Sequence, residues 1–78
     1  MGVQIDHDGE EFPYAQLAAY FRERIRAGTD KPGTRLPSYA EITAQTGLTS
    51  KTIKRAMEKL EADGLVRTVP NRGTFVRG

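Results

Sequence analysis

The chain has 78 residues and no Cys, enough for one small domain with a compact core, and it can form neither a disulfide nor a thiolate metal site. No apolar run approaches the roughly 20 residues that a membrane-spanning helix needs. The net charge of +2 hides a polarity: residues 1–11 carry Asp6, Asp8, Glu10 and Glu11 and no cation, while residues 12–78 hold all 12 Lys and Arg against 6 acidic residues, a balance of +6, so the part that folds is expected to attract polyanions.

Residues 1–11 have no sustained periodicity and contain Gly2 and Gly9, as expected of a mobile acidic tail. They lack the basic-then-apolar pattern of a secretory signal. Asp6, His7 and Asp8 are adjacent potential ligands with nothing to fix their geometry, so they are expected to be solvated rather than to hold a metal.

Residues 13–27 read as a first helix. Pro13 suits a first helical turn, where its missing N–H is not needed. Tyr14, Leu17, Ala18, Phe21 and Ile25 form an apolar face, and Arg22, Glu23, Arg24 and Arg26 cover the rest. The aromatic residues sit at helical spacing, which assigns them to the core. Gly28 is a plausible stop. Residues 29–37 form a turn-rich connector with Pro32-Gly33 as its turn. Leu36 is expected to enter the core and, with Arg35, to make a short edge strand.

Ser38-Tyr39-Ala40-Glu41 is a capping box, in which the Ser38 hydroxyl accepts from the Glu41 N–H and the Glu41 carboxylate reaches back. It opens a short helix over residues 39–46 with Ile42 in the core. Gly47 can take the positive φ of a sharp turn, Leu48 returns to the core, and Thr49 caps the next helix. In that helix Ile53, Ala56, Met57 and Leu60 fall at i, i+3, i+4 and i+7, a single buried stripe. Lys51, Lys54 and Arg55 lie opposite, near its N-terminal end, and Glu58, Glu61 and Asp63 come later. Exposed Lys and Arg are usually only a solvated face, but an apolar back with a cationic front at the N-terminus also suits an anionic partner. A short helix, a Gly turn and a longer helix make a helix-turn-helix pattern.

Gly64 ends the long helix. Residues 65–69 are β-prone, residues 70–73 signal a turn, and residues 74–76 form a second strand, giving a hairpin with Arg72 at its tip. A lone hairpin is marginal, so it must pack on the helices, with Leu65 and Phe75 as the expected anchors. The expected fold is mainly α with a small β-hairpin: three helices and a two-stranded wing over residues 12–78.

Several runs, in this order and spacing, resemble the N-terminal DNA-binding domain of the GntR family of bacterial transcriptional regulators. They are Pro32-Gly33-Thr34-Arg35-Leu36-Pro37-Ser38, Gly47-Leu48-Thr49, Ala56, Leu60-Glu61-Ala62-Asp63-Gly64-Leu65-Val66 and Arg72-Gly73-Thr74-Phe75-Val76. The resemblance covers residues 12–76. It implies a winged helix-turn-helix whose long helix enters the major groove of double-stranded DNA while the wing tip reaches the adjacent minor groove. Carried over, the DNA-binding candidates are Thr49, Ser50, Lys51, Thr52, Lys54 and Arg55 on the long helix, Arg72 and Gly73 on the wing, and Ser38 at a helix start that favours a phosphate. Many relatives carry Arg where Ala40, Ser50 and Lys54 stand. Lys lacks the bidentate fork that Arg offers guanine, so the sequence preference is expected to differ from the common family pattern.

Family members usually continue into a ligand-binding domain that also drives dimerisation. A chain stopping at Gly78 is expected to be an isolated domain or a short regulator, with no effector site and at most a weak homodimer on a palindromic operator. A cytoplasmic repressor is the leading expectation, and a winged helix that docks an acidic protein partner is the alternative. An enzyme is not expected: His7 is the sole His, and no nucleophile–base constellation is present. No metal or cofactor site is expected either.

Overall fold

The computed structural model describes residues 2–78, in the order α1 (Pro13–Arg26), α2 (Tyr39–Thr46), α3 (Ser50–Ala62), β1 (Val66–Val69) and β2 (Gly73–Val76). Pro13 opens α1, and Ala27 closes it with its N–H on the Glu23 carbonyl. Gly28 follows at φ 78°. The connector is then pinned back on the helix: the Asp30 carboxylate accepts from Arg24 Nε and Nη2 at 3.0 and 3.1 Å. This bond is the main cause that raises the Arg24 pKa above its ordinary value.

The turn between α2 and α3 follows from its residues. Gly47 takes φ 76°, a left-handed conformation closed by its N–H on the Thr43 carbonyl. Thr46 Oγ1 donates to the Ile42 carbonyl and accepts from the Leu48 N–H, at 2.7 and 3.1 Å. Leu48 is thereby turned inward and is buried.

The core lies where the three helices and the wing meet. It contains Leu17, Ala18 and Phe21 from α1, Leu36, Ile42 from α2, Leu48, the Ile53, Ala56, Met57 and Leu60 stripe of α3, and Val66 and Val76 from the strands. Burying a side chain the size of Leu, Ile or Phe contributes about 1.5–3 kcal/mol, so the α3 stripe holds that helix back-inward and leaves its other face to solvent. Arg22 on α1 donates to Asp63 beyond the end of α3 at 2.7 Å. That bond is the largest cause lowering the Asp63 pKa.

β1 and β2 pair antiparallel with Val66 opposite Val76 and Val69 opposite Gly73. The connector adds the expected edge: Leu36 N–H donates to the Thr74 carbonyl at 2.8 Å and Val76 N–H to the Thr34 carbonyl at 2.9 Å, with Arg35 bridging Phe75. Of the two expected hairpin anchors, Leu65 packs against the core and Phe75 does not. Val66, Thr74 and Val76 are the buried residues, while Leu65 and Phe75 are half-buried. Side chains alternate across a strand, so seating Val76 inward turns Phe75 to the outer face, opposite Arg67.

Residues 2–11 lie along α1. Val3 and Ile5 are half-buried against the core. The Gln16 side chain accepts from the Asp6 N–H at 2.7 Å and donates to the Asp6 and Glu11 carbonyls at 2.7 and 2.8 Å.

Candidate nucleic-acid interface

The start of α3 is the centre of the site. Thr49 is the N-cap, its Oγ1 accepting from the Thr52 N–H at 3.4 Å and lying 3.3 Å from the Thr52 hydroxyl. The two threonines therefore shape the helix start and occupy one another. Ser50, Lys51, Lys54 and Arg55 are exposed, and Thr52 is half-buried. The first turn holds no acidic residue, and among the described residues no carboxylate pairs with Lys51, Lys54 or Arg55. The free N–H groups and dipole of the helix N-terminus add to the same positive field.

The wing carries a cation of its own at its tip. Arg72 is exposed at the tip, its N–H bonded to the Val69 carbonyl at 3.0 Å. The turn depends on two unusual backbone conformations, Asn71 at φ 62° and Gly73 at φ 123°. At Gly73 a Cβ would also stand 2.9 Å from Arg35 Nε. Gly73 thus lets the Arg35 side chain lie against the wing next to its turn, adding a further exposed cation there.

Ser38 is the N-cap of α2. Its Oγ accepts from the Glu41 N–H at 3.1 Å, and among the described residues the return bond from the Glu41 carboxylate is not made. Its hydroxyl acts as a helix cap.

Tyr14 packs against the core cluster as its helical spacing implies, but incompletely. Tyr14 is only half-buried, and Arg55 Cζ lies 4.0 Å from its ring centroid. Phe12, 69% exposed, stacks on Tyr14 at 6.2 Å between centroids and 16° between planes. Phe12, Tyr14, Leu48, Lys51 and Arg55 border a groove of about 400 Å³ between α1 and the helix-turn-helix. His7 also reaches it, with Nε2 3.3 Å from the Thr46 carbonyl oxygen. No group of His, Cys, Asp or Glu able to hold a metal ion occurs among the described residues.

The family model described as bacterial regulatory proteins, gntR family, matches residues 13–76. The chain belongs to the GntR family. It is 36% identical over 63 residues to the HTH-type transcriptional regulator Rv1152 of Mycobacterium tuberculosis, covering 81% of this chain and 52% of that protein. It is 31% identical over 74 residues to the HTH-type transcriptional repressor YtrA of Bacillus subtilis, covering 95% and 57%. The chain thus spans about half the length of these relatives. Among solved structures it is similar to YtrA from Sulfolobus acidocaldarius, a GntR-family transcription factor, with TM-score 0.84, 31% identity and coverage of 95% and 78%. It is also similar to AraR(DBD) in complex with operator ORX1, with TM-score 0.85, 29% identity and coverage of 95% and 94%. The GntR chain therefore has the winged helix-turn-helix architecture of these neighbours, and among its described residues no helix is long and apolar enough to cross a membrane.

Proposed function

We propose that residues 12–78 form a sequence-specific double-stranded-DNA-binding domain that acts in bacterial transcription regulation as a cytoplasmic GntR-like repressor or its DNA-binding part. The observation that carries this reading is the two-sidedness of α3. Its apolar stripe is fully buried, and Lys51, Lys54 and Arg55 stand exposed on the other side with no carboxylate partner among the described residues.

In this reading the N-terminal half of α3 lies in the major groove. Lys51 and Lys54 act as point charges toward base acceptors and phosphates, and Ser50 supplies a short hydroxyl contact. Arg72 and the Gly73 backbone approach the neighbouring minor groove. Contacts to phosphate fix position and contacts to base edges fix sequence. The chain is a binding module and not an enzyme. Two copies on paired half-sites are expected on a symmetric operator.

Selection of bound duplexes from a random pool, followed by fluorescence anisotropy on the winner, tests this. The expected result is a defined, symmetric site whose affinity falls steeply with salt, the slope of log K against log salt being about −0.9 per phosphate contact. No enrichment, together with a flat salt response, would overturn it in favour of a docking module for an acidic protein.

A further inference from the structure

The three cations of the α3 front are not equivalent. At roughly 100° per residue, Lys51 sits in the middle of the exposed face, with Lys54 to one side and Arg55 to the other. The Arg55 side is the one bordered by Thr52 and by the start of α1, where Phe12 and Tyr14 stand. Arg55 does not extend freely into solvent, because its guanidinium lies over the Tyr14 ring, 4.0 Å from the centroid to Cζ. Tyr14 is in turn backed by Phe12, whose 69% exposure has no core-packing explanation.

A helix in the major groove, about 12 Å wide, turns its central face toward the bases and its flanks toward the phosphate walls. We propose that Tyr14, backed by Phe12, positions Arg55 as a clamp for a backbone phosphate on the α1 side of the groove, leaving base reading to Lys51 and Lys54. The proposal rests on the DNA-binding reading above and assigns the division of labour within it.

Three physical points support the clamp. A guanidinium stacked by its face on a ring keeps its edge N–H groups free, and these match a phosphate in a bidentate fork. Holding the side chain before binding reduces the rotamer freedom lost on contact. No carboxylate competes for Arg55 among the described residues. Tyr14 is therefore a positioning residue, acting through Arg55 rather than on DNA.

The test combines two readouts on Tyr14→Leu, Tyr14→Phe and Arg55→Ala. In the free protein, magnetic resonance should show the Arg55 Hδ signals shifted upfield by the ring, retained in Tyr14→Phe and lost in Tyr14→Leu. On the selected duplex, Tyr14→Leu should weaken binding about 2–5-fold, the range of an exposed cation–ring contact, with no loss in Tyr14→Phe. Added to Arg55→Ala, Tyr14→Leu should cost nothing further. Arg55→Ala should reduce the salt slope by about 0.9, equally on single-base variants of the site. Each protein's thermal transition is recorded, so that loss of fold is not read as loss of contact.

A Tyr14→Phe loss as large as that of Tyr14→Leu would assign the effect to a hydroxyl–DNA contact and overturn the proposal. Additive costs of Tyr14→Leu and Arg55→Ala, or an unshifted Arg55, would do the same. A parent protein that binds no duplex overturns the DNA-binding reading and the clamp together. One that binds, but with additive costs, overturns the clamp alone.

Discussion

Gly73→Ala isolates the backbone demand of the wing. Gly73 sits at φ 123°, beyond the small left-handed region that other residues tolerate, and it pairs with Val69 at the end of the hairpin. Two costs follow from adding a methyl. The Cβ would meet Arg35 Nε at 2.9 Å, but Arg35 is exposed and can swing aside, so this contact adds little. The φ strain is not relieved in that way and costs about 1–3 kcal/mol. For a domain of this size each kcal/mol lowers the midpoint by roughly 4–8 °C, so thermal unfolding by circular dichroism should drop by at least about 4 °C. Gly2→Ala, with nothing within 4 Å of its Cβ and no positive φ, serves as the neutral control. A Gly73→Ala midpoint within about 2 °C of the parent would show that the wing does not require that backbone conformation.

Other substitutions probe the remaining parts. Lys54→Ala should weaken specific binding by about 1–3 kcal/mol if it reads a base, and unchanged anisotropy would remove it from the contact set. Ser38→Ala removes the cap on the Glu41 N–H and should cost about 1 kcal/mol in urea unfolding; no change would mean that water satisfies the start of α2 equally well. The Asp63 pKa is lowered chiefly by the Arg22 hydrogen bond. Its stabilising effect is therefore present above the ordinary aspartate range near 3.9 and is lost as pH falls through the depressed folded-state value. Parent and Asp63→Asn proteins should consequently differ most above the ordinary aspartate range and converge as pH falls below the depressed folded-state value; a pH-independent difference would contradict this linkage.

Much of the helical part was legible because its determinants are local. α2 spans the same residues as its sequence reading, since Ser38 marks its start and Gly47 its end. The α3 stripe is buried as its 3.6-residue period implies. The hairpin face was not legible: Val69 and Phe75 compete with Val66 and Val76 in strands of four residues, too short for alternation to choose a side. Only docking against the helices seats Val66 and Val76 inward. The second role of Tyr14, under the Arg55 guanidinium, is not legible in sequence for a different reason. Helical period reports which face a residue lies on, not whether the neighbouring element covers it. At the start of α1, Tyr14 is left half-open, and the side chain over it is Arg55. The closeness of Arg35 to Gly73 is likewise a tertiary fact, visible in sequence only as an isolated Gly in a turn.

The most direct test of the account is a magnetic-resonance titration of the protein with its selected duplex. Signals of residues 49–55 and of Arg72 and Gly73 should shift together and saturate at one stoichiometry, with residues 59–63 little changed. Shifts confined to another surface, or unchanged Lys51 and Lys54 side chains at saturation, would contradict placement of the α3 front against DNA.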